Sequence, residues 1–165
     1  MKYLLVNRHA KSSWLNFNVS DHDRELNDKG FKDASDMGSR LSQKKISFDL
    51  MLTSSATRAL TTCQLIALEI GYPIEKIEIN SAIYGSEVEE LKNIIKSTDD
   101  SVKSLAIFGH NPTFQTLSEE LHEKSIVKFS ECSMLYVLFE AQSWNQCFNA
   151  SKKILFFDFP ESKEQ

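Results

Sequence analysis

The sequence has few of the residues that support disulfides, metal clusters or membrane spans. It contains only three cysteines among 165 residues. Cys63, Cys132 and Cys147 lie far apart and form no Cys-x-x-Cys pair, which argues against a disulfide framework or a thiolate metal site. The apolar run at the start, residues 3–6, is too short for a secretion signal or a membrane span, and no later segment approaches spanning length. We therefore expect a cytoplasmic protein.

The chain also lacks an excess of positive charge. Its 19 Lys and Arg residues against 23 Asp and Glu residues leave a net charge of −4. This balance gives no overall attraction to nucleic acid or to an anionic membrane, so any anion-binding site must be local. The length and the 41% hydrophobic content are typical of one globular domain, which we expect to span residues 1–165.

Short apolar runs alternate with segments of helical periodicity. The pattern predicts strands at residues 3–6, 48–53, 105–108, 134–139 and 153–159, with a weak one at 77–80. It predicts four helices: one capped by Asn27 or Asp28, one over 56–70 that ends at Gly71, one over 88–95, and one that opens at Pro112 with Asn111 as N-cap. This alternation indicates an α/β fold, a three-layer α/β/α sandwich around a mostly parallel sheet. We expect the last two strands to form a hairpin and residues 161–165 to form a frayed tail.

Histidines and arginines follow the predicted strands. Arg8 and His9 follow the first strand, Arg58 lies one helical turn after the second, and His110 follows the third. Ligands of open α/β sheets bind beyond the carboxyl ends of the strands. We therefore expect these four side chains to form a local cationic pocket suited to a phosphate.

Other phosphate and nucleophile motifs are absent. No cysteine shows the Cys-x5-Arg spacing, and the chain contains neither a GxxxxGK[ST] loop nor a GxSxG elbow. The tripeptide Asp21-His22-Asp23 is better interpreted as a solvated loop than as a metal site, because adjacent loop side chains rarely converge on one ion.

Four segments occur in the order of the signature elements of a known family. They are Tyr3 to Ala10 (YLLVNRHA), Asp23 to Gly30 (DRELNDKG), Ser54 to Thr62 (SSATRALTT) and Phe108 to Pro112 (FGHNP). On these segments the chain resembles the histidine phosphatase superfamily, the phosphoglycerate mutase-like group. The short length and the Asp-x-x-Arg and Gly-His-Asn-Pro forms are most similar to SixA-type phosphohistidine phosphatases.

The resemblance implies a role for five residues. His9 is then the nucleophile that forms a phosphohistidine intermediate, while Arg8, Arg24, Arg58 and His110 bind the phosphoryl group. Guanidinium groups suit this role because their planar fork fits phosphate and stays charged. The implied activity is that of a phosphatase, in particular a protein-phosphohistidine phosphatase without metal or other cofactor. The implied partner is a phosphorylated protein or a small phosphorylated molecule, and neither nucleic acid nor a membrane.

Several positions leave alternatives open. Arg24 either reaches the phosphate or is a loop arginine paired with Asp21 or Asp23. Trp14 and Phe17, on the same loop, form either a pocket wall or ordinary packing.

Two departures from the family pattern bear on the chemistry. Ala10 replaces a glycine, which fails if the position requires a positive φ. Glu87 is the best candidate for a proton donor, but a glutamate there also favours the start of a helix. No residue of 83–90 matches the mutase-type proton-donor motif, which favours a phosphoramidate or activated ester over a sugar phosphate, because such leaving groups need less protonation. The alternatives are a small phosphomonoester phosphatase, a mutase-like phosphotransferase and a non-catalytic phosphate-binding module.

Overall fold

The secondary structure follows the predicted alternation. A computed structural model describes residues 1–123, 126 and 128–160, so the predicted tail at 161–165 lies outside the described residues. The strands are β1 (Lys2–Arg8), β2 (Leu50–Thr53), β3 (Glu78–Ile79), β4 (Ser104–Gly109), β5 (Met134–Phe139) and β6 (Lys152–Asp158). The α-helices are α1 (Asp28–Gln43), α2 (Thr57–Ile70), α3 (Val88–Lys96) and α4 (Thr113–His122). In the described part of the chain, every helix is too short or too polar to cross a membrane. The cytoplasmic location stays a prediction.

The strands form one sheet in the order β3-β2-β4-β1-β5-β6. β3, β2, β4 and β1 pair in parallel. β5 is antiparallel to β1, and β6 is antiparallel to β5. The prediction of a mostly parallel sheet is therefore confirmed, as is the terminal hairpin of β5 and β6.

Alternating side chains of the sheet supply two separate cores. Leu4 and Val6 of β1 point to the face covered by α3 and α4, where they join one buried cluster. Leu5 points to the opposite face and packs in the cluster formed with α1 and α2. Successive strand residues face opposite sides, so a continuous apolar run buries both faces of a central strand. This arrangement confirms the three-layer α/β/α sandwich.

Two predicted helix ends are confirmed. The side chain of Asn27 caps α1 by accepting a hydrogen bond from the Gly30 N–H at 2.8 Å. Gly71 ends α2 in the left-handed conformation, with φ 73° and ψ 25°. Glycine adopts this conformation without a Cβ penalty.

The predicted start of α4 is wrong by one residue. The helix begins at Thr113 with Pro112 as N-cap, and no side chain caps it. The Asn111 amide instead donates a hydrogen bond to the Phe129 carbonyl at 2.9 Å. The Asn111 side chain therefore connects two distant segments and does not cap α4.

Gly30 brings the first turn of α1 against the backbone that follows β1. A Cβ built on Gly30 would lie 2.0 Å from the carbonyl oxygen of Lys11. That oxygen also accepts a hydrogen bond from the Asn27 N–H at 3.0 Å. The helix start and the end of β1 therefore share a contact that only glycine permits.

Replacement of Gly30 by alanine tests this contact. Because the added methyl group overlaps backbone, Gly30→Ala is expected to lower the free energy of unfolding by roughly 1–3 kcal/mol. Ser35→Ala on the same helix is the control and should stay within about 0.5 kcal/mol of wild type. Urea denaturation followed by circular dichroism measures both, and equal stabilities of the two variants would contradict the contact.

Candidate active site

The site lies where three neighbouring parallel strands end. Backbone pairing continues past the strands, because the His9 N–H donates to the Gly109 carbonyl at 2.9 Å and the Ser54 N–H donates to the Phe108 carbonyl at 3.0 Å. This pairing sets the residues after β1, β2 and β4 side by side. The His9 and His110 rings consequently lie 5.2 Å apart between centroids.

His9 is buried, with 7% of its surface exposed, and its ring is fixed by its neighbour. Its Nδ1 lies 2.7 Å from the Ala10 carbonyl oxygen. Because a carbonyl oxygen only accepts, Nδ1 carries the proton and Nε2 retains its lone pair. Nε2 accepts a hydrogen bond from Arg58 Nε at 3.3 Å. Burial, followed by the charges of Arg58, Arg8 and Arg24, lowers the pKa of His9 to about 4.

Ala10 fits the backbone at the position where the family has glycine. Its φ lies outside the left-handed region, and the residue is fully buried. Its N–H donates to Thr62 Oγ1 at 2.9 Å, and the Thr62 hydroxyl donates to the Arg58 carbonyl at 2.7 Å. Thr62 therefore couples the backbone after His9 to the first turn of α2, and alanine introduces no strain.

Arg58 projects from the first turn of α2 toward His9 and is 6% exposed. Beyond its contact with His9, its Nη1 donates to the Asp21 carbonyl at 2.6 Å and its Nη2 to Asp21 Oδ2 at 3.1 Å. Contacts with His9 and with Asp21 therefore hold the Arg58 guanidinium in one orientation.

Arg24 is paired with Asp21, which is one of the alternatives that the sequence left open, and its contact with a phosphate stays a prediction. Its Nη1 binds Asp21 Oδ1 at 2.9 Å, and its charge contributes to the low pKa of His9. Its guanidinium also stacks on Trp14, with Cζ 3.3 Å from the ring centroid. Phe17 is 94% exposed and so supplies no packing.

Arg8 approaches the cluster from the end of β1. It donates to the Phe129 carbonyl at 3.0 Å, and its Nη2 lies 3.6 Å from a carboxylate oxygen of Glu131. Its Nε is buried and has no hydrogen-bond partner among the described residues. A buried donor without a partner is uncommon in folded proteins and calls for an explanation, such as a bound ligand.

His110 is held through one nitrogen only. Its Nε2 lies 2.8 Å from Ser54 Oγ, which also accepts from the Ala56 N–H at 3.2 Å. Its Nδ1 is buried and has no partner within the part of the chain that the structure describes. Burial, followed by the charges of His9 and Arg58, lowers the pKa of His110 to about 3.

Asp21 and Tyr84 also belong to the site. The sequence indicated Asp21 only through the Asp-x-x-Arg form and as a possible partner of Arg24, and it did not indicate Tyr84. Asp21 was assigned to a solvated loop, yet its carboxylate binds both Arg24 and Arg58. The Tyr84 hydroxyl donates to Asp21 Oδ2 at 2.7 Å. This hydrogen bond, together with the arginines, holds the pKa of Asp21 well below its ordinary value. The spacing of Asp21 three residues before Arg24 was a usable signal, whereas Tyr84 offered none.

A cavity of about 400 Å³ opens beside this cluster, and Asp21, Arg58, Glu87 and His110 are among its lining residues. Glu87 is exposed at the start of α3, where its N–H donates to Glu90 at 2.8 Å. Glu87 is thus both a helix-start residue and a cavity residue. Across residues 1–123, 126 and 128–160, no three His, Cys, Asp or Glu side chains group closely enough to hold a metal ion.

Comparison with known proteins identifies the family. The model of the histidine phosphatase superfamily (branch 1) matches residues 4–92, and the chain belongs to this family. The chain is 29% identical over 156 residues to an uncharacterized chloroplastic protein of Arabidopsis thaliana, a match that covers 90% of this chain and 71% of the relative. It is 36% identical over 88 residues to a phosphoglycerate mutase of Schizosaccharomyces pombe, which covers 50% of this chain and 42% of the mutase.

Among solved structures, the fold is similar to that of a protein assigned as phosphohistidine phosphatase SixA from Agrobacterium tumefaciens. The TM-score is 0.81 at 23% identity, with 97% of this chain and 99% of that chain covered. These matches confirm the predicted superfamily and the phosphoglycerate mutase-like fold. They support a phosphatase- or mutase-like function that acts on phosphorylated substrates.

The neutral state of His9 is testable without any substrate. Since its pKa is lowered to about 4 from 6.5, its imidazole signal should not titrate between about pH 5.5 and 8. NMR of the histidine C–H groups measures this, with His9→Ala assigning the signal. The unfolded chain binds this proton below about pH 6.5 and the folded chain does not, so His9 should lower stability as the pH falls from about 6.5 to 4. A titration midpoint near the ordinary value would contradict the burial of His9.

Proposed function

We propose that this chain is a protein-phosphohistidine phosphatase of the SixA type in which His9 is the nucleophile. One observation carries the proposal. The neutral imidazole of His9 has Nδ1 committed to the Ala10 carbonyl and Nε2 held against Arg58. A neutral nitrogen with a fixed lone pair, surrounded by cations, is the arrangement that nucleophilic attack on a phosphoryl group requires.

The reaction proceeds in two displacements. A bound phosphoryl oxygen takes over the hydrogen bond of Arg58 Nε, which frees His9 Nε2 to attack phosphorus. The new P–N bond forms as the P–N bond of the substrate breaks. The electron pair of the broken bond goes to the departing imidazole, which takes a proton from solvent water and leaves neutral. Water then attacks the phosphorus of phospho-His9, the P–Nε2 bond breaks with its electron pair returning to nitrogen, and inorganic phosphate leaves. Splitting one displacement into two easier steps is the advantage of covalent catalysis.

Two buried donors are suited to the phosphoryl oxygens. Arg8 Nε and His110 Nδ1 are buried without partners among the described residues. Ser54 Oγ accepts from the Ala56 N–H, and in this proposal it donates its own proton to His110 Nε2. The His110 proton then resides on Nδ1, which makes that nitrogen a donor. Removal of one such preorganised donor typically costs about 10²- to 10³-fold in rate.

The lack of a well-placed proton donor supports a phosphoramidate substrate. Asp21 is bound by two arginines, and the pKa of Asp21 is far too low for this carboxyl to donate a proton. Glu87 is therefore the cavity carboxylate that remains as a candidate proton donor. A phosphoramidate leaving group needs less protonation than an alkoxide. A small phosphomonoester phosphatase is the second candidate function, and the place of Glu87 in the cavity is the observation that favours it.

Replacement of His9 tests the nucleophile. His9→Ala should reduce phosphate release from a phosphohistidine protein by at least about 10³-fold while the protein stays folded, because no other group can form the intermediate. Wild type incubated with a ³²P-labelled substrate should yield an acid-labile, base-stable phosphoenzyme. His122→Ala, at the end of α4, is the matched control and should retain activity. Full activity of His9→Ala would refute the proposal, and loss of wild-type activity in EDTA would refute metal independence.

Glu87→Gln separates the two candidate functions. If Glu87 protonates an alkoxide, the variant should lose activity on an alkyl phosphate by about 10²-fold or more, and should keep activity on a phosphohistidine protein. Kinetics with both substrates measure the difference. Equal activity of wild type and variant on the alkyl phosphate would remove Glu87 as the acid.

A further inference from the structure

An exposed apolar loop lies beside the candidate active site. We define it as residues 14–17, in the connection from β1 to α1. Trp14 is 69% exposed, Leu15 is 91% exposed and Phe17 is 94% exposed. A cluster of large apolar side chains in water is unfavourable and commonly marks an interaction site, whereas single exposed residues need no explanation.

The apolar loop is anchored at its base by contacts between the two chain segments that flank it. Ser12 and Leu26 form an isolated antiparallel bridge, and the Ser13 N–H donates to the Glu25 carbonyl at 2.9 Å. These contacts close the base, so the loop projects from the sheet as a defined unit.

Contacts between side chains continue from the loop to the nucleophile. Trp14 stacks on Arg24, Arg24 binds Asp21, and Asp21 binds Arg58, which contacts His9. The apolar loop is therefore connected to His9 through three intervening side chains, those of Arg24, Asp21 and Arg58.

Carboxylates lie near the arginines of the site, and we call Asp23, Glu25, Glu87 and Glu131 together the acidic rim. Exposed carboxylates of Asp23 and Glu25 lie beside Arg24, and Glu87 is on the cavity wall. Glu131 lies next to Arg8 and is 38% exposed. This acidic rim repels compact ligands with several negative groups and attracts lysines and arginines that flank a single phosphoryl group.

We propose that the apolar loop is the docking surface for a phosphorylated protein whose apolar side chains cover Leu15 and Phe17. Lysines or arginines of the partner face the acidic rim, and its phosphorylated side chain enters the pocket. The inference rests on the proposed function and names the kind of substrate. A protein is the fitting occupant because neither Leu15 nor Phe17 lines the cavity, so a ligand that fits inside the cavity reaches neither of them.

The test compares two substrates that share one reacting bond. A lysine-rich histone phosphorylated on histidine with phosphoramidate represents the docked protein, and free phosphohistidine represents the reacting group alone. The double variant Leu15→Ser/Phe17→Ser removes the two most exposed apolar side chains of the loop and leaves Trp14 and the arginines in place. Leu68→Ser is the matched control, since Leu68 is 65% exposed near the far end of α2.

The double variant should raise KM for the phosphorylated histone by about tenfold, a typical effect of removing interface anchors, and leave kcat/KM for free phosphohistidine unchanged. Leu68→Ser should change neither value. Equal effects on both substrates, or an unchanged KM for the histone, would overturn the docking surface while leaving the proposed function intact. A wild type that cleaves an aryl phosphate but not the phosphorylated histone would overturn the proposed function and the inference together. Loss of a wild-type dimer in the double variant, measured by sedimentation, would assign the loop to a second copy instead.

Discussion

The orientation of His9 depends on how the backbone that follows it is held. The Ala10 carbonyl fixes the imidazole through Nδ1, and the Ala10 N–H is fixed in turn by Thr62. The next carbonyl, that of Lys11, lies against Gly30 at the first turn of α1. Two helices distant in sequence, α1 and α2, therefore hold the backbone on either side of the Ala10 carbonyl. The rest of the site is built on this arrangement, because the free nitrogen of His9 points to the arginines only while those peptides stay in place.

The neutral state of His9 depends on its burial and on the same arginines that make the site cationic. Burial disfavours an imidazolium, and neighbouring guanidinium groups disfavour it further. The cations that suit a phosphate therefore also help to keep Nε2 of His9 unprotonated. Asp21 offsets part of their charge by binding Arg24 and Arg58, which allows two arginines to be held together before any anion arrives.

The strands and the positions at their ends could be predicted because both follow from local pattern. An apolar run such as residues 3–6 indicates a doubly buried strand, and parallel strands bring Arg8, His9 and His110 to one edge. The start of α4 could not be predicted from local rules. Asn111 is a good capping residue, but its side-chain amide donates a hydrogen bond to the carbonyl of Phe129, which is 18 positions away. The roles of the five site residues and the single domain over 1–165 stay predictions.

The sequence by itself determined the family, the order of strands and helices, and which residue types meet at the sheet edge. Periodicity and motif spacing carry that information, because they depend on neighbours along the chain. Only the tertiary structure decided that Tyr84 binds Asp21, 63 residues away, and that Phe17 remains in water while Arg24 is covered by Trp14. Burial and the resulting pKa values are sums over contacts between distant segments, and these contacts exist only once the chain has folded.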